Sequence, residues 1–168
     1  VGNKLWAGTA KGLYYYDAVA EAFVVQDLPS DDAEMEPVVD IAGALSNQNQ
    51  LYLVTPSRIV WFGVTSGVGG SYAVPEGMTV TSVAVMQEKV YVGTLESGLM
   101  LFVNGEPPAL VAAGSAGGPG STAVRDVVFG PSATMWVATS QGIGVLSGDE
   151  LTSKRAQDGL LPDNDVRA

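Results

Sequence analysis

Leu5-Trp6-Ala7-Gly8-Thr9 recurs as Leu51-Tyr52-Leu53-Val54-Thr55, Val90-Tyr91-Val92-Gly93-Thr94 and Met135-Trp136-Val137-Ala138-Thr139. Each copy sets a Trp or Tyr three residues before a Thr, and the threonines stand 46, 39 and 45 residues apart. A period of that length belongs either to a β-propeller or to some helical arrays. The texture inside each copy separates the two. β-branched and aromatic residues alternate with small ones over five positions, whereas a helical repeat would set apolar residues three and four apart.

Three further strand patterns flank these segments. One precedes them and also ends the chain: Val38-Val39-Asp40-Ile41, Thr81-Ser82-Val83-Ala84-Val85, Val124-Arg125-Asp126-Val127-Val128 and Asp165-Val166-Arg167-Ala168. Another follows each after a short turn: Leu13-Tyr14-Tyr15-Tyr16, Ile59-Val60-Trp61-Phe62, Leu99-Met100-Leu101-Phe102 and Ile143-Gly144-Val145-Leu146. Weaker fourth strands such as Ala22-Phe23-Val24-Val25 complete the set. The expected fold is all-β: a β-propeller of four four-stranded antiparallel blades per chain, a single domain over 1–168 with approximate repeats 1–45, 46–86, 87–130 and 131–168. The chain opens just before a second strand and closes in a first strand, so its ends are expected to complete one blade. Two closures satisfy that phase. One chain can close on itself as four blades, or two chains can exchange end strands as an eight-bladed homodimer, with Val166 pairing against Leu5 of the other copy.

Composition excludes several function classes. Among 168 residues there are 18 acids, 8 bases, no Cys and no His, for a net charge of −10. Nucleic-acid backbones and anionic membranes are repelled by such a surface, so neither is an expected partner. Zinc, haem, thiol and Ser-His-Asp chemistries lack their side chains. The apolar fraction of 46% fits a folded domain or a compact piece of one. Val1-Gly2-Asn3-Lys4-Leu5-Trp6 shows no signal-peptide pattern, so the chain reads as mature, cytosolic or a fragment. The uncharged run from Val127 to Gly148 has nearly the length of a membrane helix. Gly130-Pro131-Ser132 breaks it, and Gly142 and Gly144 punctuate the second half, so it is read as two buried strands and a turn rather than an inserted span.

Asp158-Gly159-Leu160-Leu161-Pro162-Asp163-Asn164-Asp165-Val166, taken with Leu5-Trp6-Ala7-Gly8-Thr9 and Lys11-Gly12-Leu13, resembles the two-component-regulator propeller repeat, whose text is D-G-L-P-x-N-x-V, then L-W-I-G-T, then G-L. The second and third repeats keep the aromatic-x-x-Thr strand and have lost most of the D-G-L-P turn. The resemblance implies a periplasmic or extracytoplasmic sensor module of a bacterial signalling protein, and the many-bladed rings of that family favour the homodimer over the self-closed ring; no cofactor is expected.

Trp6, Tyr52, Tyr91 and Trp136 are expected to pack between neighbouring blades rather than cage a ligand. Thr9, Thr55, Thr94 and Thr139 are expected to bond backbone groups in the turns that follow, with no His to make them nucleophiles. Eight carboxylates lie between Asp17 and Asp40 without a Lys or Arg: Asp17, Glu21, Asp27, Asp31, Asp32, Glu34, Glu36 and Asp40. The spacing lacks the EF-hand pattern, so a solvated acidic loop is the preferred reading over a calcium site. Gly114 to Ser121 lacks the lysine of a P-loop and reads as an inter-blade loop. The turns after the four threonines share a face with the loops leading into each first strand. That face presents Lys11, Arg58, Glu96 and Gln141, with Asp163 and Asn164 nearby, and suits a small polar ligand or peptide. The expected function is non-enzymatic binding or sensing. A structural module that pairs with another copy or a protein partner is the alternative, and a propeller lyase is disfavoured because such enzymes depend on a catalytic His.

Overall fold

The computed structural model describes residues 4–28, 36–44, 47–103, 106, 108–112, 122–147 and 150–167. Four antiparallel meanders make up the described chain. The first is β1 (Trp6–Thr9), β2 (Gly12–Asp17) and β3 (Ala22–Val25). The second is β4 (Asp40–Ala44), β5 (Asn47–Val54), β6 (Arg58–Gly63) and β7 (Gly69–Ala73). The third is β8 (Val80–Met86), β9 (Lys89–Thr94), β10 (Leu99–Phe102) and β11 (Ala109–Ala112). The fourth is β12 (Val124–Phe129), β13 (Met135–Thr139), β14 (Gly142–Ser147) and β15 (Glu150–Lys154). These sheets are the blades, and each of the last three starts one strand earlier than the aromatic-x-x-Thr text.

The chain divides into two compact units, Val1–Glu76 and Gly77–Ala168. Unit 1 holds the first two blades around Leu13, Leu51, Leu53, Val60 and Phe62, with Trp6, Leu28, Val38, Ile41 and Val64 packed against them. Trp6 meets Phe62 edge-on at 5.8 Å between ring centroids, so the first blade's aromatic seats on the second blade. Unit 2 repeats the device. Tyr91 of the third blade meets Phe129 of the fourth at 5.6 Å, in a core of Ala84, Leu99, Val124, Val127, Met135 and Val137. Burying each Leu, Val or Phe of such a core contributes about 1.5–3 kcal/mol, and β5, β8 and β9 bury runs of consecutive residues on both of their faces.

Among the described residues of unit 1 the first blade has three strands, the second to fourth of the expected blade. Two expectations change in detail. Residues 165–167 form no strand. A first strand exists by pairing with the second strand of its own blade, and in unit 2 both β9 and β13 are already paired on two sides. The uncharged stretch from Val127 holds parts of three strands rather than two, because Gly142 at φ 127° opens another hairpin inside it. Among the described residues no helix is long and apolar enough to cross a membrane.

Candidate functional site

All four repeat threonines do the same work. Thr9 Oγ1 donates to the Gly12 carbonyl at 2.9 Å and accepts from the Lys11 N–H at 3.0 Å. Thr94 Oγ1 donates to Gly98 at 2.8 Å and accepts from Ser97, and Thr139 Oγ1 donates to Gly142 at 2.9 Å and accepts from Gln141. Thr55 bonds both backbone groups of Arg58, at 3.2 Å and 3.0 Å. Each hydroxyl thus holds a turn closed with both its donor and its acceptor in use.

The segments leading into first strands are stitched to these turns. In unit 1 the Val38 N–H bonds the Thr9 carbonyl at 2.9 Å and the Val39 N–H bonds Val54 at 2.8 Å, which brings the turns of the first and second blades to one end. Glu36 completes that junction by accepting from the hydroxyl and the backbone N–H of Ser57. Burial alone would raise the Glu36 pKa. Hydrogen bonds from Ser57, with the nearby Thr55 hydroxyl and Arg58 charge, outweigh it and hold the group below the usual carboxylate value.

Unit 2 carries the same junctions. Leu95 N–H bonds Thr79, Gly98 N–H bonds Thr122, Ser140 N–H bonds Ala123 and Val166 N–H bonds Thr139. Glu96 accepts from the Thr79 backbone at 2.9 Å and from its hydroxyl at 2.8 Å, and these two bonds lower its pKa. The register of β8 and of β12 skips one residue near its start, at Thr81 and Arg125. Both skipped residues reach the next lead-in: Thr81 Oγ1 donates to the Val124 carbonyl at 3.0 Å, and Arg125 pairs with Asp165 at 2.7 Å. Asp165 also pairs with Arg167 at 2.9 Å, and its pKa lies below the usual value, lowered first by Arg167 and then by Arg125.

The six expected face residues therefore differ in what they can do. Lys11 and Gln141 have their backbones fixed by threonines and their side chains exposed. Arg58 is half-buried in the corresponding turn of the second blade. Glu96 is a clamp on Thr79. Asn164 Oδ1 accepts from the Ala156 N–H at 2.7 Å and Asp163 Oδ1 accepts from Asp165 at 3.1 Å, so both shape the turn after the 3₁₀ segment Ala156–Asp158. In unit 1 the junction at Val38 gathers Lys11 and Arg58. In unit 2 the bond from Val166 to Thr139 gathers Gln141, Asp163 and Asn164.

Of the acidic stretch, Asp17 Oδ1 caps the N–H groups of Val19 and Ala20, which lowers its pKa, and Asp40 caps Ile41. Asp31, Asp32 and Glu34 lie outside the described residues, as does the loop from Gly114 to Ser121. Among the described residues no group of three or more carboxylates could hold a metal ion.

Two concavities escaped the sequence reading. One, of about 450 Å³, is lined by Ala7, Thr9, Ala10, Lys11, Tyr14 and Phe23. The other, of about 360 Å³, lies between Asn47, Asn49, Gln50, Trp61, Thr65 and Ser66. The run Asn47-Gln48-Asn49-Gln50, four amides in succession at the start of β5, is the signal that could have found it.

No protein-family model and no curated protein matches the chain. Solved structures do. The extracellular domain of the one component system BT4673 from B. thetaiotaomicron matches over 86% of this chain at 16% identity and a TM-score of 0.71, and that of the hybrid two component system BT3049 over 90% at 18% and 0.69. The β-propeller domain of Cps50 (Swd1) from Myceliophteria thermophila matches over 99% at 10% identity, with a TM-score of 0.72. The fold is that of β-propeller blades. The chain spans 20% and 22% of the two bacterial domains and 55% of the fungal one.

Proposed function

We propose that this chain is a non-enzymatic ligand-binding or sensing propeller module that takes a small polar ligand or peptide on its turn face and works outside the cytoplasm. One observation carries the reading: four threonine-locked turns fix the backbone on which Lys11, Arg58 and Gln141 stand, so these side chains are presented from a rigid base. Likeness to extracellular domains of signalling systems supports the sensing role and the location. The absence of His and Cys from the sequence supports binding without turnover. The test is a thermal-shift and NMR screen with amino acids, tripeptides and neutral sugars. At least one probe should raise the melting temperature and perturb Lys11 or Gln141, with the effect reduced in Lys11→Ala or Arg58→Ala. A folded protein indifferent to the whole panel, or one that turns a probe over, would overturn the reading.

A second reading rests on the amide-lined concavity beside Trp61. Its polar groups are all neutral, which suits an uncharged ligand able to both donate and accept hydrogen bonds. Perturbation confined to Asn47, Asn49 and Gln50 in the same screen would select it.

A further inference from the structure

The second blade carries a combination of residues that the other blades lack. On its front, the face that bears the repeat aromatic Tyr52, Gln50 pairs across the strands with Gly63, and Trp61 stands diagonally from Gln50. By the same register the corresponding residues are Lys4, Asp17 and Tyr15 in the first blade, Lys89, Val103 and Leu101 in the third, and Thr134, Ser147 and Val145 in the fourth. An amide, a glycine and a tryptophan meet in the second blade alone, so the blade fold itself does not require them.

The two glycines of this corner shape the concavity of about 360 Å³. Gly63 puts no side chain between Gln50 and Trp61, and a Cβ there would collide with Ser66 Oγ in the turn that the Gly67 N–H closes on the Gly63 carbonyl at 2.8 Å. Gly70 is the cross-strand neighbour of Trp61, and a Cβ on it would lie 3.2–3.3 Å from three consecutive ring atoms, Nε1, Cε2 and Cζ2. Such even spacing sets that Cβ over the ring plane, so the indole rests one face on the glycine backbone while it lines the concavity. In the first blade the equivalent ring is covered from within the chain: Lys4 Nζ lies 3.8 Å from the centroid of Tyr15. Gln50 is instead drawn to Asn47, whose Nδ2 donates to Gln50 Oε1 at 3.4 Å and whose Oδ1 accepts from the Asn49 N–H at 3.1 Å. Among the described residues the Gln50 Nε2 donors and the Asn49 side-chain amide have no partner and line the concavity.

These groups narrow the ligand. It is neutral, because no charged residue lines the concavity and the chain as a whole carries −10. It is flat, because an indole face is a surface on which a planar ring stacks. A primary amide holds an N–H and a C=O side by side, so it pairs at two points with an edge that sets an acceptor beside a donor, as adenine does at N7 and N6. A pyranose also stacks on indole, but its hydroxyls donate all round the ring and call for carboxylate acceptors, of which this concavity has none. We propose that the concavity binds a neutral planar heterocycle, a free purine or pyrimidine base or its nucleoside, stacked on Trp61 and held along one edge by Asn49 and Gln50. The assignment rests on the second reading above and names its ligand class.

Titration with adenine, adenosine, adenosine monophosphate, unsubstituted purine and methyl glucoside, followed by tryptophan fluorescence and by NMR of the side-chain amides, tests it. Adenine and adenosine should quench the fluorescence and shift the Asn49 and Gln50 amide signals. Purine, which lacks the exocyclic amine, and the monophosphate, which adds charge, should bind roughly tenfold more weakly. Gln50→Ala should weaken adenosine binding roughly tenfold. Trp61→Phe should keep binding and lose the quenching, since Trp6 and Trp136 do not line the concavity. Should Trp61→Phe fail to fold, Asn49→Ala, at an exposed position, decides together with Gln50→Ala: undiminished adenosine binding in both refutes. The proposal is overturned by no response to adenine or adenosine up to about 10 millimolar, by a monophosphate that binds more tightly than adenosine, or by shifts confined to Lys11. Methyl glucoside shifting Asn49 and Gln50 while the bases do not overturns the heterocycle and leaves the amide-lined site standing; silence of every probe at those residues overturns both.

Discussion

Gly93 sits where the third blade receives the fourth, and adding one methyl group there should be costly. A Cβ built on it would lie 2.5 Å from Ser82 Oγ, 2.7 Å from Val124 Cγ1 and 2.8 Å from Thr81 Oγ1. None of these atoms is the end of a long flexible side chain, and Ser82 and Val124 are fully buried. Overpacking of that kind costs about 1–3 kcal/mol, and three simultaneous contacts place Gly93→Ala at the upper end, about 2–3 kcal/mol. In a chain of this length that lowers the melting temperature by roughly 5–10 °C. The repeat supplies its own control. Ala138 holds the same position in the fourth blade, where the front is uncovered, so Ala138→Gly should lose only the about 0.5–1 kcal/mol that glycine costs in a strand. Val124→Ala removes the atom that clashes, so the double change Gly93→Ala with Val124→Ala should be about 1–2 kcal/mol more stable than the sum of the single effects. Urea denaturation monitored by tryptophan fluorescence measures all four proteins. A Gly93→Ala loss below about 0.5 kcal/mol, or strict additivity with Val124→Ala, would refute the close-approach argument.

Thr94→Val keeps the shape and removes the hydroxyl that joins Ser97 to Gly98 in a buried turn, so it should destabilise by about 1–3 kcal/mol in the same assay. Because the Glu36 pKa is lowered in the fold, its contribution to stability is fully present above the unfolded value near 4.5 and is lost as pH falls through the lower folded value. Ser57→Ala should raise the Glu36 pKa toward 4.5 and move the acid-unfolding limb upward, as read by carboxyl carbon NMR titration; a downward shift would contradict the clamp. Lys11→Ala should change stability by less than about 0.5 kcal/mol, since its side chain is exposed in a turn, and a loss of several kcal/mol would assign it to structure.

The blades were legible because their signal is periodic. Four copies of the aromatic-x-x-Thr strand fix strand type and order, and the threonine turns follow from one hydroxyl with two backbone partners. Trp136 escaped that reading: its text matches Trp6 and Tyr91, yet it is exposed, because burial of a front row depends on the next blade and not on the row itself. The terminal Asp165-Val166-Arg167 has the text of a first strand and forms no strand in the single chain, for the same reason. Both misses mark the point where a local pattern needs a neighbour to become structure.

Glu96 shows why the candidate face was less legible than the fold. In the second blade a carboxylate on the lead-in, Glu36, accepts from a hydroxyl in the turn, Ser57. In the third blade the roles are exchanged: the hydroxyl is on the lead-in, at Thr79, and the carboxylate is in the turn, at Glu96. The junction is conserved between the blades as a pair, while neither position keeps its residue type, so a position-by-position reading takes Glu96 for a ligand group and Glu36 for part of an acidic loop. Both carboxylates already accept hydrogen bonds from the junction they close. On the function proposed above, the turn-face side chains left to meet a ligand are those that close no junction, Lys11 and Gln141, with Arg58 beside the Glu36 clamp. On that proposal the exposed cation of the unit 1 turn face is Lys11, because the Arg58 charge is met by the Glu36 carboxylate beside it.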